Sequence, residues 1–263
     1  MAKGIPPIGL GVYKAGGAVY DAVRYALDIG YRHIDCAKVY GNEAAVGRAV
    51  RESGLPRAEI FVTTKLWPTD FAAAEAACEG SLGRLGLDYV DAYLLHWPGV
   101  DAGLRLGAYE ALARLQQRGL IAAAGVSNFL PWHLEELAAH QLPLPACDQL
   151  EIHPWFPQRE ARAYCHSHGI PVVCWSPLFR GAWQDAPILF SIGRAHGKTP
   201  VQVVLRWHIQ RGDCPIPKSV TPSRILENFQ VFDFTLSPQE MAAVGALEDG
   251  RHIGNDPNVY DGS

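Results

Sequence analysis

Phe61-Val62-Thr63-Thr64-Lys65 is a mostly apolar stretch of strand length that ends in an ammonium group. Upstream, His33-Ile34-Asp35 ends in a carboxylate; downstream, Ala92-Tyr93-Leu94-Leu95-His96 ends in an imidazole. The pattern continues through Ala124-Gly125-Val126-Ser127-Asn128, Val172-Val173-Cys174-Trp175-Ser176 and Pro215-Ile216-Pro217-Lys218-Ser219. Two further runs depart from it: the opening one ends in Gly11, and the sixth holds Gln149 inside it. Runs this short and this apolar suit parallel strands buried on both faces. Polar groups gathered at one end of successive strands describe a ring of strands with chemistry at its rim.

The runs begin near residues 8, 33, 61, 90, 122, 147, 172 and 214, and helical patterns separate them. Ala18 to Gly30, Asn42 to Gly54 and Tyr109 to Gly119 each carry helical apolar spacing and stop at glycine. Thr199-Pro200, Thr221-Pro222 and Ser237-Pro238 each set a capping residue before a proline at the first helical position, and Ser237 with Glu240 forms a capping box. The longest gap, before the last strand, holds two helical patterns, Ile188 to His196 and Val201 to Gln210. Eight strand–helix units predict a (β/α)8 TIM barrel with extra helices, one domain spanning residues 1–263. Gly9-Leu10-Gly11 opens no dinucleotide fingerprint, because Lys14 stands where GxGxxG needs its third glycine.

Composition excludes several function classes. At 48% hydrophobic and 19% charged, with a formal charge of −4, the 263 residues have the makings of a globular core and no basic footprint for nucleic acid or an anionic membrane. No apolar run reaches the roughly 18 residues of a membrane span. Met1-Ala2-Lys3-Gly4-Ile5-Pro6 has no signal-peptide core, so a cytoplasmic location is expected, and separately a monomer. The six cysteines show no CxxC spacing and read as reduced, buried small hydrophobes. His166-Ser167-His168 reads as the cationic end of a helix, and no metal site is expected.

Asp35, Lys65 and His96 end strands two, three and four, which are neighbours in a barrel, and Tyr40 lies in the loop after strand two. A phenol is a weak acid, with an ordinary pKa near 10, and a nearby ammonium lowers that value. Asp35–Lys65–Tyr40 therefore reads as a tuned proton donor, with His96 placed to orient a substrate oxygen. Lys218 and Arg224 flank the start of the helix capped by Thr221, where a helix N-terminus and two cations make a phosphate site.

Taken together, His33-Ile34-Asp35-Cys36-Ala37-Lys38-Val39-Tyr40-Gly41-Asn42-Glu43, Thr64-Lys65-Leu66-Trp67, Leu95-His96-Trp97-Pro98 and Gly125-Val126-Ser127-Asn128-Phe129 resemble the signatures of the aldo-keto reductases, in their order. Asp148-Gln149-Leu150-Glu151-Ile152-His153-Pro154, Trp175-Ser176-Pro177-Leu178 and Ile216-Pro217-Lys218-Ser219 complete a set similar to the prokaryotic diketogluconate reductases. The resemblance implies NADPH-dependent reduction of a small-molecule aldehyde or ketone, with Tyr40 as proton donor, Asp35 and Lys65 as its tuning partners and His96 as the carbonyl orienter. It implies that Ser127, Asn128 and Gln149 hold the nicotinamide carboxamide and that Trp175 stacks on the ring. Lys218, Ser219 and Arg224 would receive the 2′-phosphate, and Glu227 and Asn228 the adenine; Gly11, Val12, Ser176 and Leu178 complete the cofactor contacts. Tyr13, Val39, Trp67 and Trp97 are the expected substrate contacts.

Some positions depart from that pattern. Tyr13 replaces a larger or less polar aromatic residue, Asp148 replaces an asparagine, and Phe179 replaces a glycine in the loop expected near the pyrophosphate. Lys38 adds a cation that either favours acidic substrates or points to solvent. The short substrate loops and the 15 residues after Glu248 predict a shallow, open pocket, and Ile5-Pro6-Pro7 a partial cover for the barrel bottom. Two rival readings are a Schiff-base aldolase using Lys65 and a catalytically silent NADPH-binding regulatory subunit.

Overall fold

The computed structural model describes residues 4–263. Met1-Ala2-Lys3, part of the stretch read for a signal peptide, lie outside the described residues. Eight parallel strands form one sheet in sequence order: β1 Leu10–Gly11, β2 His33–Asp35, β3 Phe61–Leu66, β4 Ala92–Leu95, β5 Ala124–Ser127, β6 Asp148–Glu151, β7 Val172–Trp175 and β8 Cys214–Pro215. The ring closes between its first and last strands, where Gly9 N donates to Pro215 O (3.0 Å) and Gly11 N to Pro217 O (3.2 Å). Gly11 is required at this seam, since a Cβ there would stand 2.8 Å from the Ile216 carbonyl oxygen. The architecture is the expected (β/α)8 barrel, and its strands begin within two residues of the expected positions.

The helices are α1 Val19–Asp28, α2 Glu43–Arg51, α3 Ala74–Leu85, α4 Ala102–Gln117, α5 Pro131–Ala139, α6 Arg159–Ser167, α7 Pro187–His196, α8 Pro200–Gln210, α9 Pro222–Phe229 and α10 Pro238–Gly245. Thr199 and Ser237 cap α8 and α10 through their hydroxyls, each completing a capping box. Thr221 occupies the cap position of α9 without a side-chain bond, and Asn42 at the start of α2 donates instead to Val12 O (2.9 Å). The helix expected from Tyr109 begins earlier, at Ala102, because Asp101 accepts from Leu104 N and nucleates it. The loop after β4 is correspondingly shorter than its sequence suggested.

Alternation along each strand separates two cores. Phe61, Ala92, Leu94, Cys147, Val173, Cys214 and Ile216 fill the barrel, with Ile5 packed against them from below, as the expected cover. The larger core lies between the strands and the ring of helices. All six cysteines are free and buried. Among the described residues, no helix is long and apolar enough to cross a membrane.

Candidate active site

The inward column of each strand ascends from apolar side chains to the rim: Phe61-Thr63-Lys65 on β3, Ala92-Leu94-His96 on and just past β4. At the top of β3, the fully buried Lys65 donates from Nζ to Asp35 Oδ1 (2.6 Å) and to the Cys36 carbonyl (3.0 Å). The other Asp35 oxygen accepts from Gln149 Nε2 on β6 (2.7 Å), so the carboxylate bridges the barrel. Tyr40 closes a single 3-10 turn, Lys38–Tyr40, that follows β2. Its ring centroid lies 5.2 Å from Lys65 Nζ and 5.7 Å from the His96 ring, and Tyr13 packs 4.9 Å from it on the outer side. The four expected groups therefore meet.

Their electrostatics correct one expectation. Burial pushes the Tyr40 phenol up to about 12, outweighing the opposing pull of Lys65 through its charge and its hydrogen bond. Burial alone would lower the Lys65 ammonium, yet the carboxylate of Asp35 and then Tyr40 leave it raised. His96 is driven well below the usual imidazole range, first by burial and then by Lys65, so it is neutral. Its Nδ1 is buried without a partner among the described residues. The cluster holds a protonated phenol, a charged lysine and a neutral histidine at neutral pH.

The rim beside this cluster suits a nicotinamide. Trp175 Nε1 donates to Asn128 Oδ1 (2.8 Å), and Asn128 Nδ2 donates to Ser127 Oγ (3.1 Å) and to the His96 carbonyl (3.0 Å). Both amide hydrogens of Asn128 are thus engaged, and its backbone is held at φ +61°, which asparagine tolerates better than most residues. Gln149 Oε1 is left as an acceptor, and the Ser127 hydroxyl, now donating to Gln149 O (2.8 Å), can turn outward. These are complementary to a primary carboxamide. Further along the rim, Lys218 and Arg224 are exposed and have no ion-pair partner among the described residues, while Ser219 lies buried between them at the entry to α9. Lys218 pairs as an isolated bridge with Gly11 of β1. Val12 has both backbone groups bonded inside, its N–H to Asp35 O (3.1 Å) and its carbonyl to Asn42. Glu227 accepts from Thr199 Oγ1 (2.6 Å), and Asn228 is buried.

On the substrate side Tyr13 and Val39 are about half exposed, whereas Trp97 is buried. Trp67 stands edge-on to the His96 ring at 4.9 Å and donates through Nε1 to Gly262 O (2.8 Å). That contact lays the tail over part of the rim, where an open pocket was expected. The tail crosses the rim and sets Tyr260 against both Trp97 (4.9 Å) and Trp67 (6.1 Å). Lys38 neither meets the site nor stands free in solvent; its Nζ pairs with Asp70 at 2.6 Å. Phe179 adopts φ +43°, a strained value for its ring, and stacks on His153 (4.1 Å). The loop it belongs to, residues 176–185, holds Ser176 (φ +49°) and Leu178, the latter packed against the core.

Asp148 is fully buried on β6, accepts weakly from Phe129 N (3.5 Å), and its second oxygen has no partner among the described residues. Burial raises its carboxyl well above the usual range and so favours its protonated form. His166 of the expected helix end contacts Asp213 (3.1 Å), and His168 stacks on Tyr164. Cys174, His208 and Asp213 do converge, but Arg162 already occupies both Asp213 oxygens.

Sequence reasoning passed over Tyr260, Glu151 and Asp70. Glu151 carried a signal, since period two places it on the same strand face as Gln149. Tyr260 lies in a polar tail with no periodicity to read.

The chain matches the model of the "Aldo/keto reductase family" over residues 7–249. It is 46% identical to an "Aldo-keto reductase" of Mycobacterium sp. (strain KMS), over 97% of this chain and 94% of the relative. It is 41% identical to "Methylglyoxal reductase DkgA" of Escherichia coli (strain K12), over 98% and 95%. Among solved structures it resembles MGS-M4, an aldo-keto reductase from a Medee basin deep-sea metagenome library. There the TM-score is 0.95 at 39% identity, covering 98% of this chain and 97% of that one.

Proposed function

The chain belongs to the aldo/keto reductase family, and from that premise we propose that it reduces an aldehyde or ketone to an alcohol with NADPH, Tyr40 supplying the proton. The observation that carries the reading is the buried Lys65–Asp35 pair set directly beneath the Tyr40 ring. Burial keeps Tyr40 protonated, so the acid is loaded at neutral pH. Giving up that proton creates a phenolate in a poorly solvated place, and the fixed charge of Lys65 opposes that cost at the moment it arises. Asp35 keeps the ammonium charged and aimed. Neutral His96 can hold the carbonyl oxygen by a hydrogen bond without adding charge of its own.

Reduced nicotinamide, when bound, supplies the hydride. Ser127, Asn128 and Gln149 would hold its carboxamide, and Trp175 its ring. Gly11, Val12, Ser176 and Leu178 would line the pyrophosphate, Lys218, Ser219 and Arg224 the 2′-phosphate, and Glu227 and Asn228 the adenine. Tyr13, Val39, Trp67, Trp97 and the tail's Tyr260 would wall the substrate. The walls are aromatic and Lys38 is neutralised by Asp70, which favours small uncharged aldehydes and ketones. A relative named as a methylglyoxal reductase makes methylglyoxal the first compound to try. The reading places the enzyme as a cytoplasmic monomer, six buried free thiols suiting a reducing compartment.

Lys65 is unsuited to Schiff-base chemistry, because an amine held charged by Asp35 is not a nucleophile. Stopped-flow mixing of NADPH-loaded protein with methylglyoxal tests the proposal against a silent cofactor-binding subunit. Rapid cofactor oxidation is expected, slowed about 10²–10⁴-fold in Tyr40→Phe. Negligible oxidation by the wild type across a panel of reactive aldehydes, or an unchanged rate in the variant, would overturn it.

A further inference from the structure

Glu151 stands one step above Gln149 on the same face of β6 and takes no part in the proton-donor cluster. It is 2% exposed, a costly place for a carboxylate without donors. Its donors come from segments far apart in the chain. His153 Nε2 lies 3.1 Å from Oε1, Ile253 N donates to Oε1 (2.8 Å), and Gly254 N donates to Oε2 (2.7 Å). Two successive amides on one carboxylate form an oriented, charge-assisted clamp. Gly254 also lies on Trp175: a Cβ there would stand 2.8 Å from Glu151 Oε2 and 2.9 Å from the indole ring. Behind Glu151, the His153 ring stacks on Phe179 at 4.1 Å, and the Arg251 guanidinium lies 5.7 Å from the same Phe179 ring.

We infer that Glu151 is a positioning residue that latches the tail across the rim and, through His153 and Phe179, ties it to the 176–185 loop. The inference rests on the reading above, in which Ser176 and Leu178 bear on the cofactor and Tyr260 walls the substrate. It adds that the two walls are held by one carboxylate. Occupation of the cofactor loop then steadies the tail over the substrate side before the carbonyl arrives. Replacing Glu151 by glutamine puts an NH2 group opposite one of the two tail amides, and Gly254→Ala wedges the same contact from the tail side.

Amide hydrogen exchange and steady-state kinetics test the latch together. In Glu151→Gln and in Gly254→Ala, residues 251–254 should exchange much faster than in wild type while the barrel strands stay protected. KM for the carbonyl should rise about ten- to hundredfold, the range of a lost charge-assisted bond, with kcat within a few fold. The double variant should be no worse than the poorer single one. NADPH should slow exchange of the tail in the wild type and do so much less in Phe179→Gly. Tail protection equal to wild type in both single variants, a loss confined to kcat, or additive effects would overturn the inference. Should the wild type turn over no carbonyl, the functional reading fails, while exchange without cofactor still decides whether Glu151 holds the tail. If Glu151→Gln does not fold, Gly254→Ala carries the test with the carboxylate in place.

Discussion

Two buried acids show how burial decides what a side chain does here. Tyr40 was expected to be made more acidic by Lys65; in the folded site desolvation wins and the phenol is raised to about 12. In the proposed reaction the lysine would matter less for the resting acid than for the anion that donation leaves behind. Asp148 is the second case, and little compensates it: its carboxyl is raised by burial, with only the weak bond from Phe129 N pulling the other way. The folded pKa lies above the unfolded one. Its contribution to stability is therefore complete below about pH 4, the ordinary carboxylate value, and is lost as pH rises toward the folded value. Each unit of that displacement, up to the pH of the measurement, costs about 1.4 kcal/mol. Asp148→Asn should accordingly raise the midpoint of urea unfolding at pH 7, with a gain over wild type that shrinks as pH is lowered to 4. A midpoint below that of wild type at pH 7 would show that Asp148 is better satisfied than its contacts indicate.

Helix starts and loops depend on local geometry and on tertiary neighbours to different degrees. Thr199 and Ser237 cap as their sequence context indicates, because a hydroxyl and a glutamine or glutamate three residues on need only local geometry. Asn42 and Thr221 sit at their cap positions and use their side chains otherwise or not at all, since tertiary neighbours compete. At the start of α9, the exposed Lys218 and Arg224 form the proposed phosphate grip. Lys218→Ala should weaken NADPH binding by about one to two decades and leave NADH nearly unchanged, measured by fluorescence titration. An unaltered NADPH/NADH affinity ratio would remove Lys218 from the phosphate site. The 176–185 loop was doubtful in sequence because Phe179 stands where glycine permits close approach. The fold accepts a strained Phe179 there and stacks it on His153.

Across the molecule, ring closure is what brings strand ends together. The seam between β1 and β8 depends on Gly11, and the bridge from Gly11 to Lys218 joins it to the proposed phosphate grip. Gly11→Ala should destabilise the protein by about 1–3 kcal/mol, as overpacking does, and loosen NADPH binding as well. Denaturant unfolding with a parallel cofactor titration checks both; stability equal to wild type would mean the seam yields without strain. Strand order, most of the helices and the meeting of Asp35, Tyr40, Lys65 and His96 were readable beforehand. Apolar runs and terminal polar residues are local patterns, and a parallel ring converts them into position with few alternatives. The contacts that were not readable join residues with no local relation: Gln149 to Asp35 across 114 positions, and Glu151 to Ile253 across 102. Chain composition cannot say how far fifteen tail residues will reach, whether Lys38 meets Asp70, or whether desolvation outweighs a neighbouring charge. Those outcomes depend on distances and solvent exclusion that exist once the barrel has closed, and so the folded arrangement settled them.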